Sequence, residues 1–316
     1  MTLLPFNDMG LFFRKRFPRF KVQKISVDAG FSCPNRDGSK GLGGCIYCNN
    51  AAFTPSYCGN GAGVSEQIAR GREFFARKYP DMRYLVYFQS YTGTYAAVER
   101  VKSLYDEALS CDGVEGLIIA TRPDCMPDEL LDYLHGVSQR RFVLVEYGAE
   151  SGNDDTLVRI NRCHTWNDTV DAVARTAERG ILCGLHLILG LPGEGREAIL
   201  RSADVVSQLP VTTLKLHQLQ VIRGTALARM FGEDGNAVHV YGLQEYVGLV
   251  ADFIERVRPD IVMDRFVSQS PSELLVAPRW GVKNHEFTAL LTAEMKRRST
   301  CQGAKYSGEQ SPSVSL

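Results

Sequence analysis

From about residue 64 the chain alternates between stretches whose apolar residues recur at helical spacing and short, nearly unbroken apolar runs. VSEQIARGREFFARKY places Val64, Ile68, Phe75 and Tyr79 on one helical stripe. RYLVYFQ (83–89) then reads as a strand and TYAAVERVKSLYDEAL as a helix. Further strands are expected at GLIIA (116–120), FVLVEYG (142–148), LCGLHLIL (182–189) and TLKLHQL (213–219), with helices between them, notably at 167–179 and 194–208. Counting VQKISVD (22–28) as the first strand gives six β/α units by residue 219, followed by a helix at about 240–257 and by IVMDRFV (261–267). Runs that are apolar throughout, rather than alternating, mark parallel strands covered by helices. The pattern predicts a barrel-like or doubly wound α/β chain whose site lies at the C-terminal ends of the strands.

Composition narrows the class. The 316 residues are 44% hydrophobic and 23% charged, enough to bury the core of one large α/β domain or two small ones. No apolar run approaches the roughly 20 residues that span a membrane, so no membrane partner is expected. The N-terminus lacks the order of a secretory signal, and the expected location is cytoplasmic. The expected organisation is an N-terminal basic segment (1–21), a core with a C-terminal extension (22–285), and a polar, Ser/Gly-rich disordered tail (297–316). Formal net charge is zero, yet Arg14, Lys15, Arg16, Arg19, Lys21 and Lys24 crowd one short stretch. That stretch reads either as a solvated helix face or as a phosphate-contacting edge.

Nine cysteines in a reducing compartment point to metal binding or redox chemistry rather than to disulfides. Three of them, Cys33, Cys45 and Cys48, stand in FSCPNRDGSKGLGGCIYCNN with C-x11-C-x2-C spacing, in the loop after the first strand. Gly38, Gly41, Gly43 and Gly44 let that loop wrap closely around something. A structural zinc site uses four ligands, usually as two close pairs, and Cys58 is the nearby candidate for a fourth. A ferredoxin-type cluster also takes four cysteines. Three thiolates on a cubane leave one iron open, which is an arrangement for chemistry rather than scaffolding.

At these residues the chain resembles the radical S-adenosylmethionine (SAM) enzymes, whose cluster loop CPNRDGSKGLGGCIYC is similar to. The usual first gap is three residues; long gaps occur in the branch containing the elongator catalytic subunit. ATRPD (120–124), GAESGNDDTLVRINRCHT (148–165) and LILGLPGE (187–194) resemble the third-, fourth- and fifth-strand motifs of that branch. The resemblance runs over essentially the whole chain to the YhcC/YtqA-type family, through FSCPNRDG, TRPDC, HLILGLPGEG and LKLHQL.

The resemblance implies a partial (β/α)6 TIM-like barrel and a [4Fe–4S] cluster on Cys33, Cys45 and Cys48. It implies that SAM chelates the open iron and is reductively cleaved to a 5′-deoxyadenosyl radical. Tyr47 falls where the family stacks a ring near the adenine, or else simply packs the loop. Gln89, Tyr91 and Thr92 replace the segment that meets the methionine amino group. Glu150 matches a cofactor-facing position, and Arg162 matches an arginine that pairs with the methionine carboxylate through its two-pronged guanidinium. A helix-surface salt bridge is the plainer role for Arg162. His186 falls where a relative, the oxygen-independent coproporphyrinogen oxidase, carries an aspartate toward the ribose; a buried, satisfied histidine is the alternative. Gly190, Leu191 and Pro192 match a turn under the adenine, and His217 is a weaker candidate at the same mouth.

Cys111, Cys183 and Cys301 read as ordinary thiols, Cys125 as a strand-end thiol, and Cys163 as a replacement for a family glycine. The family's elongator relatives act on wobble uridines of tRNA, so a tRNA partner is expected. The electron donor is expected to be a flavodoxin or ferredoxin. A small-metabolite substrate, or a non-catalytic iron–sulfur or zinc protein, are the competing readings.

Overall fold

Each apolar run in the pattern becomes one strand of a single curled parallel sheet in the computed structural model, which describes residues 4–52, 54–58, 61–76, 82–235 and 238–308. The strands are β1 (Val22–Val27), β2 (Arg83–Phe88), β3 (Val114–Thr121), β4 (Phe142–Glu150), β5 (Leu182–Leu189), β6 (Thr213–Gln218) and β8 (Val262–Arg265), hydrogen-bonded in that order. The order is sequential, without the reversal of a doubly wound sheet, so the architecture is a half-barrel of the TIM type. β7 (Val221–Ile222) and β9 (Leu275–Ala277) form a small antiparallel pair beside its mouth.

Helices α2 (Val64–Ala76), α3 (Val98–Ser110), α4 (Asp128–Ser138), α6 (Trp166–Glu178) and α7 (Arg196–Val206) are the crossovers that cover the outer face. Short α5 (Asp154–Arg159) follows β4, and α8 (Ala226–Glu233), α9 (Leu243–Arg256) and α10 (Asn284–Arg297) complete the C-terminal part. The main core lies between sheet and helices, where Val86, Ile119, Val145 and Leu185 meet Tyr105, Leu130, Val173 and Ile199. Each such side chain contributes about 2 kcal/mol on leaving water. α3 begins at Val98, not at Thr94 as the apolar pattern suggests. Thr94 is held back by Thr121, whose Oγ1 lies 2.6 Å from its own, and Tyr105 fixes the turn by donating to Gly93 O at 2.8 Å.

Helix α1 (Met9–Arg16) plugs the end from which the strands start. Phe12, Phe13 and Phe17 all pack on Phe142, the first residue of β4, and Met9 and Phe12 join Leu85, Ile118 and Leu144. The exposed cations Arg14, Lys15, Arg16 and Arg19 therefore lie at the base of the half-barrel. Lys24 leaves the expected basic surface altogether, because alternation along β1 turns it inward to Asp264, 2.9 Å away.

The expected tail is corrected over its described part. Gln302 is buried, donating to Arg258 O and Ile261 O at 2.8 Å each and accepting from Asn7 N at 3.0 Å. Residues 309–316 and Tyr79 lie outside the described residues. Among those described, no helix is long and apolar enough to cross a membrane.

Candidate active site

The C-terminal ends of the strands open into a cavity of ≈ 210 Å³ bordered by all three cysteines of the β1 loop. That loop is folded by its own backbone: Arg36 N donates to Cys33 O at 2.9 Å, Gly44 N to Asn35 O at 2.8 Å and Cys48 N to Cys45 O at 3.0 Å. Gly44 has φ +79°, and a Cβ there would press on Arg36 at 3.0 Å; one on Gly41 would stand 2.1 Å from Asn35 Oδ1. Asn161 ties the loop to the chain after α5, donating to Gly44 O at 2.9 Å and Leu42 O at 3.3 Å.

Two N–H donors converge on one thiol. Asn35 Nδ2 and Arg162 Nη1 each stand 3.5 Å from Cys45 Sγ. Burial and the neighbouring Cys45 push the Cys48 thiol up to about 12, with Arg36 opposing. Holding Cys48 as a thiolate calls for a bound cation. Among the described residues no three His, Cys, Asp or Glu side chains are grouped as around one metal ion. The thiols instead rim a space larger than one ion, and the set fits a cluster better than a tetrahedral zinc. Cys58 is turned away, its Sγ donating to Ser26 O at 3.2 Å.

The other expected residues gather at the same cavity, except for the turn of Gly190, Leu191 and Pro192. Tyr47, Gln89, Tyr91, Thr92, Glu150, Arg162, His186 and His217 all border it. Gly190 does not: its φ of +94° makes the turn after β5, and a Cβ there would meet the Tyr241 ring at 2.9 Å. Among the described residues the buried Tyr47 hydroxyl and Thr92 Oγ1 have no hydrogen-bond partner, so each keeps an unused hydrogen-bonding group beside the cavity that its residue borders. Tyr91 has φ 53° and lies with its ring 5.6 Å from the Arg36 guanidinium. Glu150 has φ 66° where the β4–β5 register shifts, a bulge that re-aims its side chain to within 3.3 Å of Arg162. Arg162 is not on a helix surface. It is buried, donating to Gly148 O at 2.6 Å and to His164 Nε2 at 3.0 Å. His164 can accept because burial and Arg162 lower it to about 4.

Several residues went unassigned in the sequence. Arg122 of TRPD is 1% exposed, borders the cavity and grips Asp124 with two 2.9 Å bonds, and its buried Nη1 has no partner among the described residues. Deeper in the lumen lie Tyr87, Glu146, Lys215 and Asp264, with Lys24 beside them. Arg265 borders the cavity near Ser268. The signal for the lumen set was a charged residue inside an apolar run, Glu146 in FVLVEYG and Lys215 in TLKLHQL. Cys125 and Cys163 do not border the cavity.

Comparison with known proteins agrees with this geometry. Residues 38–206 match the radical SAM superfamily and 211–297 the radical SAM C-terminal domain. The uncharacterized protein YtqA of Bacillus subtilis is 35% identical over 284 residues, covering 90% of this chain and 87% of that protein. A tRNA uridine(34) acetyltransferase of Dehalococcoides mccartyi is 29% identical over 166 residues, 51% of this chain and 35% of its own. The archaeal Elp3 structure from Methanocaldococcus infernus shares the fold with a TM-score of 0.65 at 16% identity, over 90% of this chain and 64% of that one.

Proposed function

Since the chain belongs to the radical SAM superfamily, and within it to the YhcC/YtqA-type family, we propose that this enzyme uses a [4Fe–4S] cluster and SAM to modify a tRNA at the wobble uridine. The observation that carries the reading is the placing of Cys33, Cys45 and Cys48 around one cavity at the C-terminal ends of a half-barrel. A cluster held there would supply the electron for reductive cleavage of SAM and so the means of hydrogen abstraction from the substrate.

The chain's own residues hold and orient. Cys33, Cys45 and Cys48 are the ligands, and Asn35 and Arg162 support Cys45 by N–H···S bonds. Arg162 and Arg122, both at the cavity, would hold the methionine carboxylate, and Glu150 with Gln89, Tyr91 and Thr92, which border it too, the amino group. Tyr47, which borders the cavity, would stack near the adenine. The phenylalanine plug of α1 keeps water from entering through the base. A flavodoxin or ferredoxin provides the electron. The tRNA assignment is supported by the likeness to the uridine(34) acetyltransferase.

A small metabolite is the second reading, favoured by one observation: the basic stretch lies at the base, away from the mouth. The experiment is anaerobic reconstitution, dithionite reduction and assay of 5′-deoxyadenosine, followed by mass spectrometry of tRNA nucleosides from parent and deletion strains. Deoxyadenosine formation with unaltered tRNA would select the metabolite, and an absence of both would refute the enzyme reading.

A further inference from the structure

Below the cysteine loop, the lumen holds a charged set that binding of cluster and SAM leaves unused. Lys215 Nζ donates to Glu146 Oε2 at 2.6 Å and to Tyr87 OH at 3.0 Å, and lies 3.2 Å from Asp264 Oδ2. Lys24 Nζ stands 2.9 Å from Asp264 Oδ2 and 3.7 Å from Glu146 Oε1. Two lysines thus face two carboxylates at positions nearly closed to water. Such a buried network is weak as a source of stability, so its effect on a neighbour is the more informative property.

That neighbour is His186, whose Nε2 is 2.8 Å from the same Glu146 Oε2. Burial alone would raise the Glu146 carboxyl, but Lys215, Lys24 and His186 outweigh it and hold it well below the usual range. An ionised carboxylate only accepts, so the proton of the pair sits on Nε2. Nδ1 is then the lone-pair nitrogen. It has no partner among the described residues, and the ring borders the cavity with the His217 ring 5.6 Å away. Burial first, then Lys215, holds the ring below its ordinary range, against Glu146 and Glu150; the groups facing it are Glu146 and Glu150 from β4 and Lys215 and His217 from β6.

We propose that His186, fixed as its Nε2–H tautomer by Glu146, is a proton acceptor in the cavity, and that turnover includes removal of a proton from an O–H or N–H of the substrate. The bond broken is that O–H or N–H; its electron pair stays with the substrate and the proton goes to Nδ1. Glu146 offsets the charge of the imidazolium so formed, and acts as a positioning residue. The inference deepens the function proposed above and rests on it for the identity of the cavity.

The test has two arms. Ring-nitrogen spectra of the 15N-histidine-labelled full chain, with His186 assigned by its loss in His186→Asn, should show Nε2 protonated and Nδ1 bare at neutral pH. Glu146→Gln, whose amide donates as well as accepts, should admit the other tautomer. A proton on Nδ1 in the parent, or no change in Glu146→Gln, overturns the proposal. In the second arm the probe is tRNA purified from a strain lacking the protein. His186→Asn should modify it about a hundredfold more slowly and lose the acid limb of the parent's pH profile, while added imidazole should partly restore His186→Gly. Modification by His186→Asn at the parental rate overturns it as well. If the parent makes no 5′-deoxyadenosine, the proposed function fails by itself, and the spectral arm still decides the tautomer.

Discussion

Arg162 Nη1 stands 3.5 Å from Cys45 Sγ while its Nη2 donates to Gly148 O at 2.6 Å, so one guanidinium joins the cysteine loop to the end of β4. A lysine ammonium is a point charge that lacks this fixed fork. Arg162→Lys should therefore bind SAM about tenfold more weakly, a loss of about 1.4 kcal/mol, with iron and sulfide content unchanged. Equilibrium binding beside an iron assay checks this, and parental affinity would remove Arg162 from the cofactor site.

The cluster should depend on three cysteines and no fourth. Alanine at Cys33, Cys45 or Cys48 should abolish reconstituted iron and sulfide, because all three border the cavity. Cys58→Ala should retain them, since its thiol is spent on Ser26 O. Loss of iron from Cys58→Ala would end the three-ligand argument.

Lys215 is the member of the lumen network whose removal costs most. Lys215→Met would leave Glu146 and Asp264, both nearly closed to water, with Lys24 as the remaining lysine between them. Breaking a buried pair from one side costs ~3–5 kcal/mol. Urea unfolding of the variant should show a loss of that order; a loss comparable to that of a surface substitution would mean water reaches the lumen freely.

Acid should weaken the TRPD corner. Burial alone would raise Asp124, yet Arg122 and Lys40 outweigh it and bring the carboxyl from 3.8 to about 2. Its folded value lies below its unfolded one, so its contribution is complete above the unfolded value and lost as pH falls toward the folded one. The stability difference between parent and Asp124→Asn should shrink by ~2 kcal/mol across that window. Denaturant unfolding at several pH values measures it, and a constant difference would mean that Asp124 is not held by Arg122.

The basic helix gives the last prediction. Because α1 closes the base, Arg14/Lys15/Arg16→Ala should leave both the affinity for tRNA and its salt dependence near the parental values. A shallower salt slope in the triple variant would show that nucleic acid wraps around to the base after all.

What the sequence made legible follows from what periodicity and spacing can carry. Six strands stood out as apolar runs because parallel strands are covered on both faces, and β8 was visible only as the trailing IVMDRFV. The three cysteines could be read because ligand spacing is local. The lumen network could not: Lys24, Glu146, Lys215 and Asp264 come from four strands, and only the curling of the sheet brings them together. The same holds for the basic stretch. Its charge was plain in the sequence, but which end of the barrel it covers depends on Phe12, Phe13 and Phe17 finding Phe142.

The phenylalanine plug also dictates traffic. With the base covered by α1, the cysteines face the mouth at the strand ends. If a small nucleoside is seated deep and a bulky partner covers the mouth, the nucleoside must arrive first and its fragments leave last. Order of arrival and departure is then imposed by shape.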